Sequence, residues 1–262
     1  QKMADHIAAG DVKQLVVSGD RLQVTLKDDR TFGAIKSPSD SLIETFEYYG
    51  ISAEQLNNNL VIRDQSLDRA AHKRVAEIFG TGVLHRHALN KARGGDDEEV
   101  YPVRTTGESK MTAGEGWHTD VSCDPAPIAA SLLYMKEMPE GGGGDTYYSS
   151  MGECFDRLSE PLKVLARSLS ATHDGAFPYR AIYGIEPPPG THYNKTVHPL
   201  VIRHPVTGRP TLWINRGFTT GIKGLSHLEN RALMELFFQH IETTLIAQCR
   251  VRWEAGTLTI WD

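Results

Sequence analysis

Beyond Trp117 the chain breaks into short apolar or alternating runs, "IAASLLYM", "DTYYSS", "TVHPLVIRH", "TLWINR", "CRVRW" and "TLTIWD", separated by turn-forming clusters. Successive side chains on a strand point to opposite faces, so each short run can bury one face and leave the other toward solvent or a second layer. Many such strands with intervening turns fit a mainly β architecture with flanking helices, a double-stranded β-helix or jelly roll. Two stretches of helical spacing, near Met151 to Ser168 and Leu225 to Ile241, supply the flanking helices. In the second, "SHLENRALMELFFQHIETTL", the Leu and Phe positions are core-facing rather than a cofactor box. The chain carries no internal repeat.

Residues 1–57 have another rhythm. A short helical piece around Met3 to Ala9 precedes "VKQLVVSGDRLQVTLKDD" and "RTFGAIK", alternating runs whose turns at Ser18-Gly19-Asp20 and Asp28-Asp29 predict a meander. A capped helix with Leu42, Ile43, Phe46 and Tyr49 on one face follows and ends at Gly50. This small α+β segment reads either as a separate module, 1–57, or as ordinary strands and helix ahead of a core spanning 58–262. The run "AAGDVKQLVVSGDRLQVTLKDDRTF" with "SLIETFEYYGISAEQL" resembles the extracytoplasmic domain of FtsH-type metalloproteases. No His-Glu-x-x-His or Gly-x-x-x-x-Gly-Lys motif accompanies it, so neither protease nor ATPase chemistry comes with the likeness. From Asn58, "LVIRDQ" predicts a strand and "SLDRAAHKRVAEIFG" a helix. A polar loop, "NKARGGDDEEV", then leads toward a strand carrying Val103.

Charge narrows the partners. A formal net charge of -5 without basic blocks argues against nucleic acid, whose phosphates need a Lys/Arg-rich face. The longest apolar run, Ile128 to Met135, is far short of the roughly 20 residues that cross a bilayer, so no membrane partner is expected. Cys123, Cys154 and Cys249 are three and widely spaced, which gives neither a disulfide framework nor a zinc pattern and points to a reducing, cytoplasmic setting. Small molecules are the expected partners, and a homo-oligomer is compatible with the sequence. Cys123 and Cys154 lack the nearby His of an activated nucleophile, and no Gly-x-Ser-x-Gly elbow occurs.

The stretch "EGWHTDVSCD" holds His118 and Asp120 two positions apart. On a strand these leave from one face, where an imidazole and a carboxylate can chelate one ion; joined by a second His they form the facial triad of non-haem Fe(II) oxygenases. His-x-Asp alone is more often an ordinary hydrogen-bonded or solvated pair, so context decides.

"WHTDVS", "SLLYMKEMPEGGGGDTYYSS", "TVHPLVIRHPVTGRPTLWINRGFTTGI" and "CRVRWEAGTLTIWD" occur in the order and approximate spacing of the taurine dioxygenase (TauD/TfdA) family, and the resemblance runs from about Leu60 to Asp262. It implies an Fe(II)- and 2-oxoglutarate-dependent dioxygenase that uses O2 to hydroxylate a small organic substrate, such as a sulfonate, sulfate ester or aryloxy acid. Succinate and carbon dioxide would be released. By the same resemblance His118 and Asp120 are the catalytic metal ligands and Thr146 binds the 2-oxoglutarate carboxylate. His85, with His87 nearby, and Phe218 line the substrate pocket. Ala88 or Asn90 stands where taurine-cleaving members carry a Tyr, and Gly114 replaces an Asn, so taurine itself is not the expected substrate.

The family pattern supplies its second His ligand and a keto-acid-binding Arg after "WDN", and both are expected beyond Asp262. His198 and His204 are expected in structural hydrogen bonds, with His173 the better spare. Arg209, Arg216, Arg250 and Arg252 read as solvated surface or strand-face cations. The alternative is a catalytically inactive jelly-roll that binds a ligand or partner.

Overall fold

The computed structural model of this chain describes residues 6, 11–18, 21–35, 60–78, 99–106, 108–109, 114–186, 191–205 and 207–261. The strands are β1 (Val12–Ser18), β2 (Arg21–Leu26), β3 (Thr31–Ile35), β4 (Leu60–Arg63), β5 (Ser131–Met135), β6 (Thr146–Ser149), β7 (Ser170–Asp174), β8 (Lys195–Pro199), β9 (Val201–Arg203), β10 (Pro210–Leu212), β11 (Thr219–Ile222), β12 (Gln248–Val251) and β13 (Thr257–Trp261). The helices are α1 (Arg69–Ile78), α2 (Met151–Asp156), α3 (Glu160–Ser168), α4 (Phe177–Ala181) and α5 (His227–Thr243). The described part is mainly sheet with few helices.

The largest sheet has the order β3-β2-β1-β4-β13-β5. Alternation builds its first half: Leu22, Val24 and Leu26 are buried while Arg21 and Gln23 are exposed. On β1, Val12 and Leu15 are both buried although three positions apart, and a register shift between Val12 and Gln14 absorbs the odd residue. The meander is therefore present, and it continues into the rest of the chain. β1 lies parallel to β4, Leu15 opposite Leu60, and one apolar cluster unites Val12, Leu15, Leu22, Val24, Leu60, Ile62, Leu258 and Ile260. This pairing crosses the division expected at 57/58.

A second cluster packs α2, α3 and α5 onto β7, β10 and β11 through Phe155, Ala171, Leu212, Ile222, Phe237 and Ile241. In a third, Val61, Val251 and Trp253 meet Leu133, Met135 and Tyr148 where the β6–β12 ladder faces the large sheet.

The helix expected over Met151 to Ser168 is two helices. Pro161 lacks an N–H and is tolerated only in a first turn, so α3 restarts behind an extended Ser159. α5 begins on a capping box between Ser226 and Glu229. The strand expected at Val103 does not form: residues 101–106 are irregular, Val103 is exposed, and Pro102 removes a ladder donor. β7 and β11, "SATHD" and "TTGI", carry too few apolar residues to stand out in the sequence. Most of the helix expected at Met3 to Ala9, and all of that at 42–50, lie outside the described residues.

Candidate metal centre

His118 and Asp120 do not lie on a strand. They sit in an irregular loop that turns from Asp120 onward, so strand alternation is not what brings their side chains together. Two hydrogen bonds do this, one within the loop and one from the large sheet. Gly116 has φ +80°, a left-handed conformation natural to glycine, and its carbonyl turns back to lie 2.9 Å from His118 Nδ1. A proton on Nδ1 is donated there, which leaves Nε2 as the basic nitrogen. Nε2 lies 3.4 Å from Asp120 Oδ1. The other carboxylate oxygen, Oδ2, accepts a 2.6 Å hydrogen bond from Ser131 Oγ, at the start of the edge strand β5. The large sheet thus aims Asp120.

This donor set fits a divalent transition metal. Two ligand bonds of about 2.1 Å at right angles span about 3 Å between donor atoms, close to the separation found. The side chains are 30% and 37% exposed, so the pair is open to solvent. Burial, the largest single influence on His118, lowers its pKa; the hydrogen bond and charge of Asp120 and the Gly116 carbonyl together outweigh it and raise the pKa above the ordinary value. A metal binding there displaces a proton. Among the described residues no group of three or more His, Cys, Asp or Glu side chains could hold a metal ion.

The far end of the loop is anchored in buried polar groups. Val121 has φ +43°, a costly conformation for a β-branched residue. Ser122, wholly buried, meets both His173 Nδ1 and Asn215 Nδ2 at 3.1 Å. The turn between β10 and β11 also touches the near end. Gly217 N–H donates to Trp117 O, and a Cβ on Gly217 would lie 2.6 Å from His118 Cβ, so only glycine fits.

Thr146 opens β6 and accepts a 2.9 Å hydrogen bond from the buried Trp253 indole. Tyr148, two residues on and facing the same way, has its phenol pushed up by burial, with smaller contributions from Cys249 and the Asp120 carboxylate. Phe218 is half-buried, its N–H held by Asn215 Oδ1 at 2.8 Å. His85 and His87 lie outside the described residues.

The spare histidines are structural. His173 is 0% exposed, and burial with the neighbouring His198 takes its pKa down to about 4. His198 Nε2 lies 2.9 Å from the Asp124 carbonyl. Three arginines expected to be solvated keep part of their surface in solvent and are also ion-paired: Arg209 with Glu153 and Asp156, Arg216 with Glu235 and Glu242, and Arg250 with Asp145. Ser131, Ser122, Asn215, Gly217 and Trp253 escaped sequence reasoning. All five fall inside the quoted motifs, but nothing in those motifs assigned them a partner, since most of their partners are distant in the chain.

The family model described as "Taurine catabolism dioxygenase TauD, TfdA family" matches residues 56–262. An alpha-ketoglutarate-dependent dioxygenase, cnsM, of Penicillium expansum is 32% identical over 216 residues, 78% of this chain and 60% of that protein. The alpha-ketoglutarate-dependent sulfonate dioxygenase of Saccharomyces cerevisiae is 36% identical over 162 residues, 58% of this chain and 36% of that protein. The chain therefore spans less than two thirds of the length of either relative. The crystal structure of a taurine dioxygenase from Burkholderia xenovorans superimposes with a TM-score of 0.65 at 25% identity, covering 96% of this chain and 80% of that one.

Proposed function

Since this chain belongs to the TauD, TfdA family of taurine catabolism dioxygenases, we propose that it is an Fe(II)- and 2-oxoglutarate-dependent dioxygenase. It uses O2 to hydroxylate a small organic substrate, releasing succinate and carbon dioxide. The observation that carries this reading is the approach of His118 Nε2 to Asp120 Oδ1 at 3.4 Å, with Nδ1 and Oδ2 engaged behind them. A loop that fixes both outer atoms spends its hydrogen bonds on aiming the inner two.

The bound ferrous ion supplies the redox chemistry that couples dioxygen to oxidation of the keto acid and of a C–H bond. His118 and Asp120 would hold it. Thr146 orients 2-oxoglutarate. Its oxygen already accepts from Trp253, which leaves its own proton to be donated to a carboxylate. His85 and Phe218 keep their assignment to the substrate pocket on the family pattern alone. The yeast relative's name supports a sulfonate; a sulfate ester or an aryloxy acid is read from the family resemblance alone.

The surrounding architecture is read as a jelly roll, supported by two β layers joined through Trp253 and Tyr148. Residues 12–35 are read as part of that domain rather than a separate module, because β1 and β4 share a ladder and a core. A cytoplasmic location is in keeping with three cysteines of which none is disulfide-bonded; no described helix is long and apolar enough to cross a membrane.

The inactive alternative gives no reason for Ser131 and Gly116 to orient the pair. Anaerobic titration of the full-length protein with Fe(II) and 2-oxoglutarate is expected to raise a weak visible charge-transfer band. His118→Ala or Asp120→Ala should abolish that band together with substrate-dependent succinate formation. A folded wild-type protein without the band, or turnover unchanged in either variant, would favour the inactive binding protein.

A further inference from the structure

We propose that Asn215 and Ser122 are positioning residues of the metal centre, forming a buried polar clamp that holds the His118–Asp120 loop in its ligating shape. The inference rests on the reading of that pair as iron ligands.

Asn215 is 5% exposed and engaged at every polar group. Its N–H donates to Thr219 Oγ1 at 3.0 Å, its carbonyl accepts from Thr219 N–H at 3.1 Å, and its Oδ1 accepts from Phe218 N–H at 2.8 Å. That last bond fixes which end of the carboxamide is oxygen, so the Nδ2 that meets Ser122 Oγ at 3.1 Å is the donor. With its oxygen accepting from Asn215, Ser122 directs its own proton to Nδ1 of His173, 3.1 Å away. His173 then accepts as a neutral imidazole, the form that its burial favours. The chain of donors runs in one direction, from the Phe218 amide through Asn215 and Ser122 to His173, and Ser122 and His173 are fully buried.

Three observations tie this chain to the ligands. Ser122 follows Asp120 by two residues, across the left-handed Val121, a conformation that persists only when neighbouring contacts hold it. The turn that Asn215 closes carries Gly217, whose N–H bonds Trp117 O and whose α-carbon packs on His118. One side chain therefore grips the loop after Asp120 and also shapes the turn pressed on the loop before it. Neither Asn215 nor Ser122 is placed to touch the metal; both act through the ligands they position.

The test measures Co(II) affinity, from the visible absorption of the bound ion, in the full-length wild type and in Asn215→Ala and Ser122→Ala. Gln248→Ala serves as control. Gln248 is also a buried polar pin, but it opens β12 and its amide donates at 3.0 Å to the carbonyls of Ile241 and Glu242 near the end of α5, away from the His118–Asp120 loop. Each variant's apo melting temperature is recorded alongside. Loss of a group that orients a ligand costs about ten- to a hundredfold in metal affinity. That loss is expected in Asn215→Ala and in the milder Ser122→Ala, whereas Gln248→Ala lowers the melting temperature and leaves affinity unchanged. The proposal is overturned if folded Ser122→Ala and Asn215→Ala bind Co(II) like the wild type, or if Gln248→Ala weakens binding as much as they do. A folded wild type with no affinity for Co(II) would overturn the iron assignment beneath it, a result distinct from either.

Discussion

The large sheet and the metal loop hold their shapes by opposite means. The cluster on the sheet is wholly apolar, Val12 to Leu26 packed with Leu60, Ile62, Leu258 and Ile260. Behind the loop, Ser122, His173, Asn215 and Thr219 are all at most 5% exposed and bonded to one another or to neighbouring backbone. Apolar packing is strong in sum but weakly directional, so it sets stability and tolerates repacking. Hydrogen bonds contribute less net energy but fix distances and angles, and a buried group left without its partner costs more than the bond itself gives. A ligand pair must be held to a fraction of an ångström, which only the second means can do.

The comparison can be broken at its apolar end first. Leu60→Ala should cost about 3 kcal/mol of unfolding free energy in urea, the usual penalty for emptying a buried Leu site. Co(II) affinity of the folded fraction should be unchanged. A large loss of affinity would mean that the sheet's apolar packing sets ligand geometry as well as stability.

Acid probes the polar end. His173 titrates near 4 in the folded protein and near the ordinary 6.5 when unfolded. Above 6.5 both states are neutral and pH has no leverage through this group. Between 6.5 and 4 the unfolded chain takes up a proton that the folded one refuses, so stability falls with pH. Below 4 the loss is complete, about 3 kcal/mol in all, with about 2 kcal/mol already gone at pH 5. His198, whose ring centre is 5.6 Å away, and Trp213, at 6.4 Å, face the same ring. Urea unfolding at pH 7 and pH 5 should give a smaller difference in His173→Gln than in the wild type; an equal difference would place the acid sensitivity elsewhere.

The smallest effect sharpens the boundary between the two regions, where Trp253 belongs to the third apolar cluster yet donates to Thr146. Trp253→Phe keeps most of the packing and removes one hydrogen bond worth about 1 kcal/mol. The Kd for 2-oxoglutarate should rise about fivefold while Co(II) affinity alone stays constant. An unchanged Kd would remove Thr146 from the keto-acid site.

Sequence alone determined the elements that repeat a simple rule over several residues. The meander follows from alternation in "VKQLVVSGDRLQVTL", α1 and α5 from helical spacing and caps, and the His118/Asp120 pair from a motif in the company of three others. Two expectations failed where a single residue outweighed the pattern: Pro161 split a helix, and Pro102 stands in the segment around Val103 that did not become a strand. Tertiary structure decided what joins distant positions. It set the parallel β1–β4 ladder, brought Ser131 onto Asp120, and gathered Ser122, His173 and Asn215 from three segments. It also showed that the His118 and Asp120 side chains converge through a glycine carbonyl and a serine hydroxyl rather than through strand geometry. A periodic pattern records what a residue's near neighbours in the chain require. A buried hydrogen bond between residues 93 positions apart, as between Ser122 and Asn215, leaves no such record, because either partner alone is an ordinary polar residue until the fold removes water from both.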